Sequence, residues 1–240
     1  MKVLVKIPTR ERGFNWLKPF LNLIELPDTT ILLSLDEDER YKVPGWVIAS
    51  EKIVIKFAER KTKIEAINRD VSGLEWDVVI VAADDFSVQK NGYDRIVAED
   101  MQKHFPNKDG ILWYDSDNQH DIKGHITRGT QQFFRSCICT MPVIGRKYYE
   151  SKKYIYHPEY HSLYCDEEQT KVAIQEGKIK YIENRILYHE HPVNGGNVKM
   201  DGLYKLNELW YARDKAVFEK RALNLSIPAG PWPREKTFKL

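Results

Sequence analysis

Two adjacent carboxylates, Asp84 and Asp85, close an almost purely apolar run, Asp77-Val-Val-Ile-Val-Ala-Ala83. Such a β-branched run bounded by polar residues predicts a strand buried on both faces, parallel to its neighbours and central in its sheet. Ligands of open α/β sheets bind beyond the carboxyl ends of the strands. Anions side by side at that edge repel each other unless a cation sits between them and another group, and a diphosphate is the group that fits. Taken alone, the doublet is also compatible with a solvated turn after a strand.

Other residues could share that edge. Pro8-Thr9-Arg10-Glu11-Arg12-Gly13 follows the first predicted strand, and its amides and two arginines suit a base and phosphates. It is neither a Walker A loop nor a GxGxxG turn. The second strand runs into Asp36-Glu-Asp-Glu-Arg40, where a carboxylate can accept from a base N–H or a ribose hydroxyl. Lys63, Asn68 and Arg69 fall on one short helix, at spacings that do not share a narrow face. Asp166 with Gln169 three residues later reads as a capping box, and an N-cap position would depress its pKa. His189 and His191, two apart at the end of a strand, point the same way and could both hold a metal. The tyrosine-rich stretch Tyr148 to Tyr160 suits stacking on a sugar or base, or packing at a seam. Trp113, Asp115 and Asp117, at the end of the fifth strand, are candidate acceptor or sugar contacts.

The elements that must position these groups alternate through the first hundred residues. Strands are predicted over Lys2–Ile7, Thr30–Leu35, Lys52–Phe57 and Asp77–Ala83, and helices over Asn15–Leu26, Thr62–Val71 and Tyr93–Phe105. That alternation argues for a mostly parallel sheet flanked by helices. A strand Gly110–Tyr114 then leads into a polar loop, Asp115–Thr130, long enough to be functional. The strand Arg135–Ile144, the helix Asp166–Glu176 closed by Gly177, the strand Lys178–Tyr188 and the helix Asp201–Leu223 follow. The Pro-rich tail Ile227–Pro233 cannot be helical and is expected to strap across the surface. No repeat or linker divides the chain, so one domain over residues 1–240 is expected, both halves sharing a sheet.

Composition narrows the classes. With 30% charged residues, 42% apolar residues and a net charge of +2 over 240 residues, the chain is ordinary globular material without a strong nucleic-acid or membrane signature. No apolar stretch reaches the ~18 residues of a membrane span, and the N-terminal strand lacks a signal-peptide pattern. Three cysteines, Cys137, Cys139 and Cys165, have no zinc spacing and read as reduced. A cytoplasmic protein is expected.

Several of these segments occur in a telling order. Pro8-Thr9-Arg10, Lys63-x-x-x-x-Asn68, Ala83-Asp84-Asp85-Phe86 and Gly92-Tyr93-Asp94 are followed by Asp109-Gly110-Ile-Leu-Trp113, Pro142-Val-Ile-Gly-Arg146, Cys165-Asp166-Glu167 and His189-Glu190-His191-Pro192. The ordered set resembles family-2-type glycosyltransferases of the GT-A fold, particularly small ones of phages and bacterial polysaccharide loci, over roughly residues 2 to 205.

That resemblance implies a Rossmann-like, mixed but mostly parallel sheet in a single domain. Residues up to about 107 would bind a nucleotide sugar, those from about 108 to 205 the acceptor, and the rest would form a helix end and strap. It implies an inverting transfer from a nucleotide-diphosphate sugar, a UDP-sugar in particular, with Mn²⁺ or Mg²⁺, to a glycan or modified nucleic acid. Carried over, Thr9 and Asp36 meet the base, Pro8 belongs to the same donor site, and Arg10 or Arg12 lies near the phosphates. Lys63 and Asn68 contact the donor, Asp84 the ribose or sugar, and Asp85 and His191 the metal, with His189 the alternative. Asp166 becomes the general base. The contiguous Asp84-Asp85 departs from the family's Asp-x-Asp, leaving open which carboxylate touches the metal. A nucleotidyltransferase of related fold and a non-catalytic nucleotide-sugar-binding module are the competing readings; a metal-dependent hydrolase built on His189 and His191 ranks below both.

Overall fold

The computed structural model describes residues 1–59, 61–116, 138–190 and 202–227. Nine strands are formed among them: β1 (Val3–Pro8), β2 (Thr29–Asp36), β3 (Ile53–Ala58), β4 (Val78–Val81), β5 (Phe86–Val88), β6 (Ile111–Tyr114), β7 (Pro142–Gly145), β8 (Ile179–Ile182) and β9 (Leu187–His189). Seven make one sheet in the order β3-β2-β1-β4-β7-β6-β8, in which only β7 runs against the rest. The doublet strand β4 is central and fully buried, as its apolar run predicts, but it is parallel to β1 alone and runs antiparallel to its other neighbour, β7. The sheet draws strands from both halves of the chain. Strand order reverses between β1 and β4: β2 and β3 extend to one side of β1, and β4 lies on the other. Such a switch point opens a crevice at the carboxyl ends of the two diverging strands. Thr9 follows one of them and Asp84 the other.

Period-two alternation sorts the core into two layers. Leu4, Leu32, Val79 and Val81 face one way, toward Ile64 and Ile67 of α3 (Lys63–Asn68), Tyr148 and Tyr149 of α5 (Arg146–Lys152), Ala173 of α6 (Cys165–Gln175) and Phe218 of α8 (Tyr211–Leu225). Val3, Val5, Ile31, Leu33, Val78 and Ile80 face the other way, toward Leu17 and Phe20 of α1 (Leu17–Asn22), Val47 of α2 (Gly45–Ile48) and Val97 and Met101 of α4 (Tyr93–His104). Full burial of each aliphatic side chain contributes about 1.5–3 kcal/mol, so both faces of β4 hold its carboxyl end in place.

Three predicted elements differ. Of the predicted strand Arg135–Ile144, the stretch Pro142–Gly145 forms β7; residues 117–137, Cys137 among them, lie outside the described residues, while Cys139 and Cys165 are buried. The predicted strand Lys178–Tyr188 is two strands in two sheets. β8 pairs with β6, the chain turns at Asn184, and β9 pairs with β5. The long helix Asp201–Leu223 is broken at Leu209–Trp210 into α7 (Gly202–Glu208) and α8, because the halves serve different partners: Tyr204 turns toward β4, and Asp214 and Phe218 turn into the core. Of the tail, Ile227 is described and buried. Gly177 ends α6 as predicted, with φ +66 in the left-handed region that glycine adopts freely.

Lys6 of β1 is fully buried and donates to Ser34 Oγ and, at 3.0 Å, to Arg69 O. Burial pushes its pKa down to about 7, with the nearby Asp70 charge opposing. The unfolded chain therefore binds a proton that the folded chain does not between about pH 7 and the ordinary lysine value of about 10.4, and stability rises with pH across that window. Urea unfolding should show wild type gaining up to about 4 kcal/mol relative to Lys6→Met from pH 7 to pH 10. A flat difference would mean that Lys6 keeps its ordinary pKa.

Candidate active site

Beyond β1 the chain turns through Glu11, which has φ 57 in the left-handed region and whose N–H donates to the buried Glu39 at 2.8 Å. This turn sends the two arginines to opposite sides. Arg10 grips Asp36 through Nε and, at 3.1 Å, Nη2, and Arg12 Nη1 donates to Asp84 Oδ1. Thr9 Oγ1 donates to the other Asp84 oxygen at 2.6 Å, and Arg12 stands 3.9 Å from Asp85 Oδ2. Arginine therefore offsets part of the doublet's mutual repulsion without a metal.

The two carboxyls have opposite electrostatics. Burial pushes Asp84 up to about 6, against the pull of Arg12 and the Thr9 hydrogen bond. Burial also acts upward on Asp85, but the hydrogen bond and charge of His189, the Tyr204 hydrogen bond and the Lys63 charge together outweigh it and hold Asp85 below the usual range. Tyr204 Oη donates to Asp85 Oδ2 at 2.6 Å, and His189 Nε2 lies 3.3 Å from the same oxygen. The other Asp85 oxygen, Oδ1, is buried and has no hydrogen-bond partner among the described residues.

The small β5–β9 sheet explains how His189 reaches that carboxylate. Phe86, immediately after the doublet, is in register with His189, and their rings stack 4.5 Å apart at 4°. Glu190 N donates to Asp85 O at 2.8 Å, tying the end of β9 to the doublet. Arg12 also lies 5.0 Å over the Tyr204 ring, so α7 closes one side of the crevice.

The opposite wall carries Lys63 and Asp166. Thr62 caps α3 by accepting from Glu65 N at 3.2 Å, which leaves Lys63 at the first turn, exposed along the cavity and without an ion pair among the described residues. Asp166 is not the N-cap of α6, contrary to the capping-box reading: Tyr164 holds that position with φ 63, and the Gln169 side chain donates to Ile155 O instead. Nor is the Asp166 pKa depressed. Enclosure by protein raises it, outweighing Lys63 and the 2.9 Å hydrogen bond from Glu167 N. Desolvation wins over the helix terminus, while part of the side chain stays open to the cavity.

Pro8, Thr9, Arg10, Arg12, Asp36, Lys63, Asp84, Asp85 and Asp166 thus line a single cavity, with His189 beside them. Asn68 does not join them. Its amide accepts from Ile155 N at 2.9 Å and Tyr156 N at 3.0 Å and donates to Tyr156 O, holding a loop. His191 and Asp117 lie outside the described residues. Trp113 is core, edge-on to Tyr181, and Asp115 accepts from Arg185 at 2.6 Å. Tyr148, Tyr149 and Tyr160 are buried packing residues; Tyr156 is buried too but borders the cavity. The reading of the sequence missed Tyr204, Thr140 and Ser162, which border the cavity as well. No local pattern marks Tyr204, which lies 119 residues from its partner Asp85.

The donor set suits a hard divalent cation shared with a ligand. Asp85 Oδ1 is a buried carboxylate oxygen with no hydrogen-bond partner among the described residues, and Mg²⁺ or Mn²⁺ needs only one or two protein ligands when phosphates supply the rest. Among the described residues no group of three or more His, Cys, Asp or Glu side chains forms a metal centre by itself.

No protein-family model matches the sequence, and no curated protein is significantly similar to it. Solved structures do match in fold. A mannosyltransferase from Pyrobaculum calidifontis, PcManGT, in complex with GDP-Man and Mn²⁺ superposes with a TM-score of 0.62 at 11% identity, over 96% of this chain and 66% of that one. S. aureus TarS 1-349 in complex with UDP-GlcNAc gives 0.59 at 13% identity, over 84% of this chain and 60% of the other. The chain thus spans less than two thirds of either structure's length. Its fold is the mixed α/β, mostly parallel GT-A fold of glycosyltransferases.

Proposed function

We propose that this chain is a metal-dependent, inverting glycosyltransferase. It would move a sugar from a nucleotide-diphosphate sugar, a UDP-sugar in particular, to an acceptor hydroxyl of a glycan or modified nucleic acid. The observation that carries this reading is the convergence in one crevice of a buried carboxylate pair, an exposed lysine, two arginines and a third, enclosed carboxylate. The GDP-Man and Mn²⁺ of the mannosyltransferase and the UDP-GlcNAc of TarS support the donor class and the cation.

In this reading the Arg10–Asp36 pair borders the base, and Asp84 with Thr9 faces the ribose or sugar. Asp85 holds the cation, with His189 or His191 beside it. When bound, Mn²⁺ or Mg²⁺ supplies charge stabilisation to the departing diphosphate. Lys63 adds a second positive charge from the start of α3. Asp166 takes the acceptor's proton as that oxygen attacks the anomeric carbon opposite the leaving group, which is what inversion by a single displacement requires. Its raised pKa makes it a stronger base than a solvated aspartate.

A thermal-shift screen of nucleotide sugars tests this reading, since a ligand bound to the folded state raises stability by RT ln(1 + [L]/Kd), about 2.7 kcal/mol at a hundredfold excess over Kd. At least one UDP-sugar should raise the Tm with Mn²⁺ and lose most of that rise in EDTA, with nucleoside diphosphate released when acceptor is supplied. Stabilisation by nucleoside triphosphates alone, with pyrophosphate release, would replace this reading with a nucleotidyltransferase.

A further inference from the structure

Asp214 is wholly buried in α8, outside the cavity, yet it does not serve its own helix. Its carboxylate accepts three consecutive backbone N–H groups of another segment: His161 at 3.1 Å, Ser162 at 2.8 Å and Leu163 at 2.9 Å. Arg213 Nη1 adds a contact at 2.8 Å. A buried carboxylate is retained at a cost unless its lone pairs are filled, and here the 161–163 turn fills them.

That turn leads directly to the reacting end of the cavity. Ser162, Leu163, Cys165 and Asp166 all border it. Between them Tyr164 is held at φ 63, a region that an aromatic residue occupies only when its surroundings impose it. What imposes it is again α8: the Tyr164 ring stacks on Phe218 at 5.5 Å and 23° and leans on Tyr211 at 5.5 Å. Trp210, just before α8, packs edge-on against His161 at 4.4 Å. The turn is also tied to α3 on the same wall, because His161 O accepts from Ile64 N at 3.3 Å, next to Lys63. The Ser162 hydroxyl is buried with no hydrogen-bond partner among the described residues, so the turn is set by its backbone bonds to Asp214 and not by its side chain.

We propose that Asp214 is a positioning residue for transfer: through the 161–163 turn it fixes where Asp166 and Lys63 stand relative to one another. The inference rests on the glycosyltransferase reading for its kinetic consequence and on geometry alone for the clamp. Asp214 does not border the cavity. Its loss therefore moves the base and leaves the doublet and the base-binding end in place. Displacements of about 1 Å at a reacting centre can cost on the order of a hundredfold in rate.

Two measurements test it. In wild-type protein, hydrogen exchange at the amides of residues 161–163 should be as slow as in β4, although these residues lie in a loop. In Asp214→Asn, which keeps the side chain's shape and removes its charge and one acceptor, those amides should exchange at least tenfold faster. The kcat for sugar transfer should fall tenfold or more while the Kd for UDP with Mn²⁺ stays within about twofold, and Asp214→Glu should restore part of the lost kcat. Freely exchanging wild-type amides would overturn the clamp whether or not any variant folds. An unchanged kcat in Asp214→Asn, or a loss of kcat matched by an equal loss of UDP affinity, would overturn the positioning role. If wild type turns over no nucleotide sugar, the glycosyltransferase reading fails and takes the kinetic role with it, while the exchange data still decide the clamp.

Discussion

Asp166→Asn is expected to lower kcat for sugar transfer by about a thousandfold, within the 10²–10⁴ that a positioned general base supplies, while UDP binds in the presence of Mn²⁺ as tightly as to wild type. The amide keeps the side chain's size and its hydrogen bond from Glu167 N but cannot take the acceptor's proton. A thousandfold corresponds to about 4 kcal/mol of transition-state stabilisation. The pH profile carries an independent sign. Enclosure raises the Asp166 pKa, so the basic form is lost as pH falls through a value above the ordinary aspartate range. Wild-type kcat should therefore decline on the acid side at a pH higher than a solvated carboxylate would give, and that limb should vanish from the residual activity of Asp166→Asn. Steady-state release of nucleoside diphosphate from pH 4 to 9 reads both effects. A variant with wild-type kcat would make Asp166 a wall residue and remove the base from the reading.

The sheet was legible because its strands are apolar on both faces. Val78 to Val81 could be nothing but a buried strand, and the two carboxylates after it had to lie at a sheet edge. The cavity-lining residues found from the sequence sit within a few positions of a strand end or helix start, where local pattern and position agree: Thr9 and Arg10 after β1, Asp36 at the end of β2, Lys63 at the start of α3. What escaped depends on contacts far apart in the chain. Tyr204 reaches Asp85 only because α7 breaks from α8, and the uninterrupted amphipathic pattern gives no sign of that break. The run Lys178 to Tyr188 reads as one strand, but its ends pair with β6 and β5, two partners that no local period distinguishes.

Asp166 shows how a correct position can come with the wrong physics. Asp followed by Gln three residues later fits a capping box, a local motif, and the expected consequence was a depressed pKa. In the fold Gln169 is drawn away to Ile155 O, the cap falls to Tyr164, and burial decides the titration instead. Asn68 is the reverse case. Its place in an ordered set of motifs suggested a donor contact, whereas its amide is spent on three backbone bonds to Ile155 and Tyr156.

The central claim is that the acidic edge of β4 holds a divalent cation against a diphosphate, and Asp85→Ala tests it most directly. The substitution removes the carboxylate whose Oδ1 is buried without a hydrogen-bond partner among the described residues, and leaves Asp84 held by Thr9 and Arg12. It also releases Tyr204 and His189, so thermal unfolding of the metal-free variant must first show that it folds. Removing a charged metal ligand in a water-poor site is worth about 3 kcal/mol or more, which is about a hundredfold in Kd. Calorimetric titration of UDP in Mn²⁺ and in EDTA should give tight, Mn²⁺-dependent binding for wild type. For Asp85→Ala it should give affinity at least a hundredfold weaker, no better in Mn²⁺ than in EDTA. Equal Mn²⁺-dependent affinity in the two proteins would contradict the account, and the cation would have to be sought elsewhere.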